Sequence, residues 1–481
     1  MCGAQVTPFL DLLICYLEAE IQTASIVPPT ELLPAERQAF DKMEKSIAIS
    51  AYHDSRARSA TSRCLGGTRK NQIETIMQWI EEEAEKKPLF VVLGSAGCGK
   101  SSLLRTISHL SDAKGYLAAT FFFSSTDSKL KTDSEPPLIN TIAYQIATAI
   151  PQLRPYVARI VDADPTILSR SFESQITNLL LQPLSQLQEE YPMFSFRPRV
   201  IVIDALDECG DLDDQLRVIS ALSGILSHRS FPFICVISTR YNAHIENQLS
   251  KLLVPHVHDQ VILGNAESNT ERADVYAYLS ANISRIRDNH TFQRYIPHGW
   301  PADSDVETIV ERSSGQFIYA ATVIKYIDSP KHNPCHRFQS VLDISAAGAR
   351  TDPFTAVLDD LYRSLMSSIE NLEAAIEILG IQLVWSSSQF WTPRTLDYTR
   401  VFRLHFTSLD ADIVLAPLAP VLKCEDDIIQ LHHLSFAEFL LDRARSREFF
   451  VNPTVWQNWV VSQLVPVFYD KECMYADRVR D

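Results

Sequence analysis

The stretch that most constrains the fold is the glycine-rich octapeptide GSAGCGKS at residues 94–101. It fits the pattern G-x-x-x-x-G-K-[ST] without a mismatch, and it stands between the continuous apolar run PLFVVL and the amphipathic run SLLRTISHL. A strand buried on both faces, a glycine-rich turn and a helix, in this order, are typical of a phosphate-binding P-loop. The chain has only 14 glycines, yet five lie between Gly66 and Gly99, which indicates that unusual backbone geometry is needed there.

The chemistry of phosphate binding explains the spacing of the motif. Backbone N–H groups of the loop and the N-terminus of the following helix would cradle anionic oxygens. Lys100 is placed to reach the β- and γ-phosphates of a nucleotide, and Ser101 to ligate Mg²⁺. A chance glycine-rich turn is the alternative, and the flanking strand and helix disfavour it. The predicted nucleotide contacts of this loop are Gly94, Ser95, Ala96, Gly97, Cys98, Gly99, Lys100, Ser101 and Ser102.

A second buried strand supplies the acid that a P-loop needs for its metal. In FRPRVIVIDALDECG the apolar run ends in Asp204, a Walker B pattern that predicts a carboxylate holding Mg²⁺ through water. Asp207 and Glu208 follow, where a general base could orient the attacking water. The alternative is a solvated acidic loop after a buried strand. The P-loop upstream favours the metal site, because it requires such a partner.

A third strand, FPFICVISTR, ends in Arg240. Nucleotides bind at the carboxyl edge of open α/β sheets, so an arginine there could sense a γ-phosphate, although arginines end strands for many other reasons. The runs YLAATFFFSS (116–125) and VHDQVILG (257–264) predict two more strands. Five strands with helices between them predict a doubly wound parallel α/β sheet, the fold of a P-loop NTPase.

Composition excludes several other classes of protein. The formal net charge is −15, from 44 Lys and Arg against 59 Asp and Glu, which argues against nonspecific binding to nucleic acid or to an anionic membrane. The apolar runs are far shorter than a bilayer span, and the N-terminus has no basic region typical of a signal peptide. Nine cysteines are scattered singly, which fits thiols in a reducing compartment. We therefore expect a cytoplasmic protein that binds neither nucleic acid nor membrane.

Together the motifs resemble the NACHT class of signalling ATPases within the STAND group. The resemblance is greatest to the fungal NLR-like branch, whose P-loop module is also described as nephrocystin-3-like. It spans about residues 50–450, and its most specific part is DALDE, where Asp204 is followed by Asp207 and Glu208. The segments that carry it are CLGGTRKNQIETIMQWI, GSAGCGKSS, TFFFSS, VIVIDALDEC, VISTR, SSGQFIYAATVIKYI and LHHLSFAEFLLD.

The resemblance implies roles for residues outside the P-loop. Thr68 and Arg69 fall where the family places a segment against adenine and ribose, and Arg240 falls at the position called sensor 1. In this family a helical domain and a winged-helix domain follow the ATPase core and fold back over bound ADP. Related animal proteins carry the motif F-x-H-L-S-F-x-E-F in the winged helix, and LHHLSFAEF matches it with leucine first. The match makes His433 the residue that would bond the β-phosphate of ADP.

Local sequence patterns around His433 agree with that role. VLKCEDDIIQLHHL predicts a β-hairpin with its turn at 425–427, which would hold the histidine on a rigid strand end. Ser435 is predicted to start the next helix, with Glu438 three residues later as a capping box. His432 would point to the opposite face of the strand and have a structural role. The alternative for His433 is an ordinary exposed or core histidine.

The sequence also departs from the family. Plant-type relatives place a proline two residues after a glycine against adenine, whereas Phe317 follows Gly315 here. Fungal relatives often have an arginine directly after the FFFS strand, where Ser125 stands. No internal repeat is found, although family members usually carry a repeat array after the winged helix. We therefore expect a minimal or truncated member, or one that relies on a partner for sensing.

The predicted organisation has five parts. Residues 1–60 form an N-terminal helical or linker region, 61–265 the ATPase core, 266–335 a helical subdomain, 350–450 a winged-helix domain and 451–481 a tail. The Pro-rich PKHNPCHRF (330–338) contains His and Cys residues, but a single cluster of such candidate ligands is weak evidence for a zinc site. The segment is therefore predicted to be a linker.

The predicted function is an ATP/ADP-controlled signalling switch with slow ATP hydrolysis. It would bind ATP or ADP with Mg²⁺ and form a homo-oligomer when ATP is bound. Its protein partners are not identified by the sequence. One alternative is a scaffold that binds nucleotide without hydrolysing it. Another is an AAA-type motor, for which no ring-forming arginine finger can be assigned from the sequence.

Overall fold

The computed structural model describes residues 30–56, 63–83, 88–124, 137–192, 194, 199–210, 212–228, 231–241, 244–245, 247, 258–264, 268–344, 353–387, 408–425, 428–459 and 462. Ser125 and the ends of the chain lie outside these ranges. A parallel sheet of five strands stands at the centre, in the order β2-β3-β4-β1-β5. Its strands are β1 (Leu89–Gly94), β2 (Leu117–Phe122), β3 (Arg199–Asp204), β4 (Phe233–Thr239) and β5 (His258–Leu263).

The sheet is buried on both faces, which explains the continuous apolar runs in the sequence. Leu89, Val91 and Leu93 face one core, whereas Phe90 and Val92 face the other. The helices that cover these faces are α1 (Pro34–Glu44), α2 (Lys70–Gln78), α3 (Lys100–Ala113), α4 (Leu138–Ala149), α5 (Arg154–Ala163), α6 (Phe172–Gln175), α7 (Gln182–Glu190) and α8 (Leu212–Leu226). All five predicted strands are confirmed, and the chain has the α/β fold of a P-loop NTPase.

The strand order places the functional motifs side by side. β4 pairs with β1 on one side and with β3 on the other. Its carboxyl end therefore lies between the P-loop, which follows β1, and Asp204, which ends β3. Side chains at the end of β4 can contact both motifs, and this determines the geometry of the site.

The described part of the N-terminal region packs onto the core. Glu36 in α1 accepts hydrogen bonds from the Leu33 N–H, at 2.8 Å, and from Arg159 Nε of α5, also at 2.8 Å. Further on, the His53 N–H donates to Thr120 Oγ1 of β2 at 3.1 Å. Residues 30–56 thus contact α5 and β2 of the core.

A helical segment follows the core at residues 268–344. It contains α9 (Asn269–Asn289), α10 (Asp303–Ser313), α11 (Phe317–Ile327) and α12 (Pro334–Leu342). The predicted linker at 330–338 was wrong, because α12 begins within it. Asn333 caps this helix by accepting the Cys335 N–H at 2.9 Å, and Pro334 occupies the first helical position, where no N–H is needed. Phe338 and Val341 are then buried against the segment.

The C-terminal module (residues 353–387, 408–425 and 428–459) shares a core with the helical segment. Its elements are α13 (Pro353–Ser367), α14 (Leu372–Ser387), α15 (Ser408–Leu415), β6 (Leu422–Glu425), β7 (Ile428–Leu431), α16 (Leu434–Leu441) and α17 (Arg443–Ser446). β6 and β7 pair antiparallel, with Leu422 opposite Leu431, so the two predicted strands of the hairpin are confirmed, whereas residues 426–427 of its predicted turn lie outside the described ranges. None of the helices in the described ranges combines the length and apolar character needed to cross a membrane.

Candidate functional site

The loop between β1 and α3 has the backbone geometry of a P-loop. Gly97 and Gly99 adopt φ angles of +78° and +96°, a region that side-chain-bearing residues rarely enter. A Cβ on Gly94 would lie 2.6 Å from Cys98 Sγ, so this position also requires glycine. Lys100 Nζ donates to the carbonyl oxygens of Gly94 and Ser95 at 2.8 and 3.0 Å. The ammonium group is thereby held in the concave side of the loop.

Asp204 lies buried at the end of β3, and its orientation is set by β4. Ser238 Oγ donates to Asp204 Oδ1 at 2.6 Å and accepts the Ala205 N–H at 2.9 Å. Ala205 adopts φ +55°, so the chain turns sharply after the strand and carries Asp207 and Glu208 into a short 3₁₀ turn. Sequence analysis missed Ser238, although its place two residues before Arg240 on a central strand was available as a signal.

Arg240 is oriented by Asp207. Arg240 Nε lies 2.8 Å from Asp207 Oδ2, and the Arg240 backbone N–H donates to Asp207 Oδ1 at 3.1 Å. Burial opposes the charge of Arg240, but the carboxylates of Glu438, Asp207 and Glu208 outweigh burial and raise its pKa. Asp207 is therefore committed to the arginine through both of its oxygens.

Arg240 also joins the core to the C-terminal module. Arg240 Nη1 lies 2.6 Å from Glu438 Oε1 of α16, and the two side chains are 29% and 35% exposed. The prediction that Glu438 belongs to a capping box started by Ser435 was wrong. α16 begins at Leu434 and His433 is its cap, because His433 Nδ1 accepts the Ser435 N–H at 3.0 Å. Because His433 already accepts the Ser435 N–H, Glu438 is not needed as a partner for that amide. Its side chain pairs with Arg240 of the ATPase core instead.

The pKa of His433 depends on burial and on neighbouring positive charges. Burial, together with the positive charges of Arg240, Lys100 and Lys325, lowers the pKa of this imidazole to about 3. The ring is therefore neutral at physiological pH. His433 caps the helix whose Glu438 pairs with Arg240, so the end of the hairpin lies on the element that contacts the core at Arg240. The neighbouring His432 donates its backbone N–H to Val421 O at 2.9 Å, within the module.

Thr68 and Arg69 lie beside the P-loop, but their side chains are engaged internally. Thr68 Oγ1 donates to Leu65 O at 2.8 Å. Arg69 is 1% exposed, and its guanidinium donates to Cys98 O and pairs with Glu271 of α9, each at 2.7 Å. The side chain of Arg69 therefore binds the P-loop backbone to the helical segment.

The helical segment contacts the P-loop directly, which sequence analysis did not predict. Gln316 Nε2 donates to Ser95 Oγ at 2.6 Å, and the Ile318 N–H donates to Gly97 O at 3.0 Å. A Cβ on Gly97 would lie 2.3 Å from Ile318 Cγ2. The start of α11 therefore contacts the loop at the side chain of Ser95 and at the backbone carbonyl of Gly97.

The oxygen donors at the site fit a magnesium ion. Mg²⁺ prefers hard oxygen ligands and usually takes one or two from the protein, with phosphate oxygens and water completing an octahedron. Asp204 provides a buried carboxylate, and Ser101 is the second residue of α3, with an exposed side chain. No group of three or more His, Cys, Asp or Glu residues suited to a metal occurs in the ranges that the structure describes. A metal at this site would thus depend on phosphate oxygens.

Comparisons with known proteins found a family model and several distantly similar solved structures. A family model described as nephrocystin 3, N-terminal, matches residues 69–240, about a third of the chain. A Walker-type ATPase of Pyrococcus abyssi is 12% identical, with a TM-score of 0.39 over 79% of this chain and 98% of that chain. The ORC2 protein of Aeropyrum pernix is 11% identical, with a TM-score of 0.36 over 86% and 100% of the two chains.

These structural likenesses are too distant to carry an argument about function. No curated protein is significantly similar to the chain. The family model agrees with the resemblance to a nephrocystin-3-like P-loop module, and it covers the P-loop, Asp204 and Arg240. The wider resemblance to NACHT and fungal NLR-like proteins remains a prediction.

Proposed function

We propose that this chain is an ATP/ADP-controlled switch, in which the nucleotide at the P-loop determines whether the C-terminal module stays against the core. The observation that carries the proposal is the ionic junction Asp207–Arg240–Glu438. Arg240 pairs with a carboxylate of the core at 2.8 Å and with a carboxylate of the module at 2.6 Å. One side chain at the carboxyl edge of the sheet thus links the nucleotide site to the C-terminal module.

The roles of the site residues follow from their positions. The backbone of residues 94–102 would cradle the phosphates, with Lys100 turning from its carbonyl partners to the β- and γ-phosphates. Ser101 and Asp204 would hold Mg²⁺, which neutralises phosphate charge when bound. Thr68 and Arg69 would shape the base and ribose side through their backbone. His433 would donate to a phosphate oxygen from the module.

The switch requires a nucleotide that distinguishes the two states. A ligand bound equally by the closed and open forms shifts no equilibrium, however tightly it binds. A γ-phosphate would compete with Glu438 for Arg240, whereas a diphosphate leaves that pair intact and still accepts from His433. One hydrogen bond to a charged group contributes about 1.5–3 kcal/mol, a roughly tenfold to hundredfold bias. The two contacts together would stabilise the closed form with ADP.

Hydrolysis in this proposal resets the switch. Asp207 holds Arg240 through two contacts, so Glu208 is the better candidate for the base that orients the attacking water. Arg240 would stabilise negative charge on the transferred phosphoryl group only after leaving Glu438. In the closed state Arg240 is thus paired with Glu438 and not available for catalysis. We therefore expect slow turnover of ATP.

The domain assignments extend this proposal. We assign residues 61–265 to a NACHT-like core, 266–335 to a helical subdomain whose last helix continues to Leu342, and 350–450 to a winged-helix domain. The order helix, helix, helix, hairpin and helix in the C-terminal module supports the last assignment. As in fungal NLR-like proteins, we propose a cytoplasmic protein that forms homo-oligomers when ATP is bound and signals to protein partners.

Two other functions are distinguishable from the switch. A nucleotide-binding scaffold would retain nucleotide without turnover, and the charged groups Lys100, Asp204 and Glu208 argue against it. An AAA-type motor would show fast turnover stimulated by a substrate. The junction of Arg240 with Glu438 favours the switch, because it ties the catalytic edge to a module of the same chain.

The first experiment measures the nucleotide that copurifies with the full chain, after denaturation, and its exchange rate. We expect near-stoichiometric ADP in the wild type and about tenfold faster exchange in Glu438→Gln, which keeps the shape of the side chain and removes its charge. Glu311→Gln is the matched control, because that glutamate is 66% exposed and its ion pair, at 3.6 Å, lies in the helical segment. Equal exchange in all three proteins would contradict the switch.

A further inference from the structure

Two hydrogen-bonding groups of Ser435 converge on one nitrogen of His433, and a third group extends the chain. The Ser435 backbone N–H donates to His433 Nδ1 at 3.0 Å, and Ser435 Oγ lies 2.8 Å from the same nitrogen. Tyr362 of α13 extends the chain, with its hydroxyl 2.8 Å from Ser435 Oγ. Tyr362 and Ser435 are 1% and 4% exposed, so water does not compete readily for these bonds.

The directions of these bonds follow from one group that has no choice. A backbone N–H can only donate, so His433 Nδ1 must be an acceptor and carry no proton. Ser435 Oγ then donates to the same nitrogen, and the Tyr362 hydroxyl donates to Ser435 Oγ. The neutral ring must therefore hold its proton on Nε2.

We infer that Tyr362 and Ser435 are positioning residues for His433, which keep its imidazole in the Nε2–H form. A ring in this form offers a donor and no acceptor to whatever it faces. Arg240 contacts the same helix through Glu438, and its positive charge and that of Lys100 act on the ring, so we expect the acceptor for this donor to be an anionic oxygen. This inference rests on the proposed function only in identifying that oxygen with a nucleotide phosphate.

The same chain prevents the ring from becoming a cation. Protonation at Nδ1 would set an N–H against the Ser435 N–H, and it would place a positive charge beside Arg240 and Lys100. Burial and these charges already lower the pKa of His433. His433 would thus act as a neutral donor, which releases an anion more readily than a charged imidazolium does.

The tautomer is tested by NMR of the full chain with ¹⁵N-labelled histidine rings, with His433→Gln identifying the signals of His433. We expect an unprotonated Nδ1 and a protonated Nε2 in the wild type without nucleotide. A protonated Nδ1 would overturn the inference. This readout does not require nucleotide binding, so it remains informative if the proposed switch fails.

The positioning role is tested by the dissociation rate of a fluorescent ADP analogue. We expect Tyr362→Phe and Ser435→Ala each to accelerate release about two- to tenfold, the change that one net hydrogen bond corresponds to. The double variant should match Ser435→Ala, because both side chains act through one chain. Ser435→Thr, which keeps the hydroxyl, should release ADP at the wild-type rate.

A matched control removes a different buried hydroxyl. Tyr319 is fully buried in α11 of the helical segment, outside the hydrogen-bonded chain that ends at His433, so Tyr319→Phe should not change release. Wild-type rates in Tyr362→Phe, with fast release in His433→Ala, would overturn the positioning role and leave the switch intact. An unchanged rate of ADP release in His433→Ala would contradict the proposed contact of His433 with a phosphate oxygen.

Discussion

Arg69 and Glu271 form a buried ion pair at 2.7 Å, although 202 positions separate them in the sequence. Their side chains are 2% and 3% exposed. Glu271 Oε1 also accepts the Gly264 N–H at 2.9 Å, and the Arg69 guanidinium lies 5.1 Å from the centre of the Phe317 ring. The pair therefore fixes the segment before α2, the end of β5 and the helical segment around the P-loop.

Breaking this pair from one side should destabilise the chain strongly. Arg69→Met or Glu271→Gln leaves a buried charge without its partner, and we expect each to lower the free energy of unfolding by about 3–5 kcal/mol. The double variant Arg69→Met/Glu271→Leu should lose less than the sum of the two, because it leaves no unpaired charge. Urea unfolding monitored by fluorescence measures all three.

The control for this prediction is a half-exposed ion pair in the helical segment. Arg285 and Asp328 lie 2.7 Å apart with 50% and 31% exposure, where solvent screens the pair. Arg285→Met should leave the unfolding midpoint nearly unchanged. Equal losses at both sites would show that burial of the Arg69 pair is not what stabilises it.

Acidification should destabilise the C-terminal module through its adjacent histidines. Burial and the charge of Lys325 lower the pKa of His432 to about 4, and that of His433 is about 3. An unfolded histidine binds its proton near its ordinary pKa of about 6.5. Between these values the unfolded chain holds more protons, so the free energy of unfolding falls as pH falls below about 6.5.

The measurement compares unfolding of the nucleotide-free wild type and His432→Gln/His433→Gln from about pH 7 to about pH 5. The wild type should lose more stability over this interval than the double variant, because glutamine does not titrate. Parallel pH profiles would mean that neither imidazole is buried as a neutral ring.

The local parts of this structure were predictable from the sequence. β1, the P-loop and α3 lie within 25 residues, so strand pattern, glycine positions and helix pattern reinforce one another. The β6–β7 hairpin was predictable for the same reason. Asp204 and Arg240 were predictable as strand ends, because parallel strands place their carboxyl ends at one edge.

The long-range pairs were not predictable. Nothing in the local pattern of Arg69 indicates Glu271, and nothing around Glu438 indicates Arg240, since each pair is brought together only by the packing of separate elements. The false capping box has a physical cause. An imidazole can accept a hydrogen bond from an N–H group as a serine hydroxyl does. His433 therefore caps the helix in place of Ser435, and Glu438 pairs with Arg240.

Asp207 and Glu208 should differ in their effect on ATP turnover. Asp207→Asn keeps the shape of the side chain but loses the ion pair to Arg240, so we expect weaker nucleotide discrimination and partial activity. Glu208→Gln should lower turnover about a hundredfold or more, as expected for loss of a general base. Single-turnover hydrolysis and separate ADP and ATP affinities resolve the two effects. The reverse pattern would make Asp207 the base.

Two helical glycines provide a matched test of packing in the C-terminal module. A Cβ on Gly380, in α14, would lie 2.5 Å from the Trp456 ring, whereas a Cβ on Gly224, in α8, would meet nothing within 4 Å. Gly224→Ala should therefore stabilise its helix by about 0.5–1 kcal/mol.

Gly380→Ala gains the same helix propensity but must displace the indole, so we expect a net loss of about 1–3 kcal/mol. Tryptophan fluorescence should also change in this variant, because Trp456 packs 5.9 Å from Trp459 and moves with that segment. Thermal unfolding of both variants decides the outcome. Stabilisation by Gly380→Ala would show that residues 453–459 do not pack against α14 in solution.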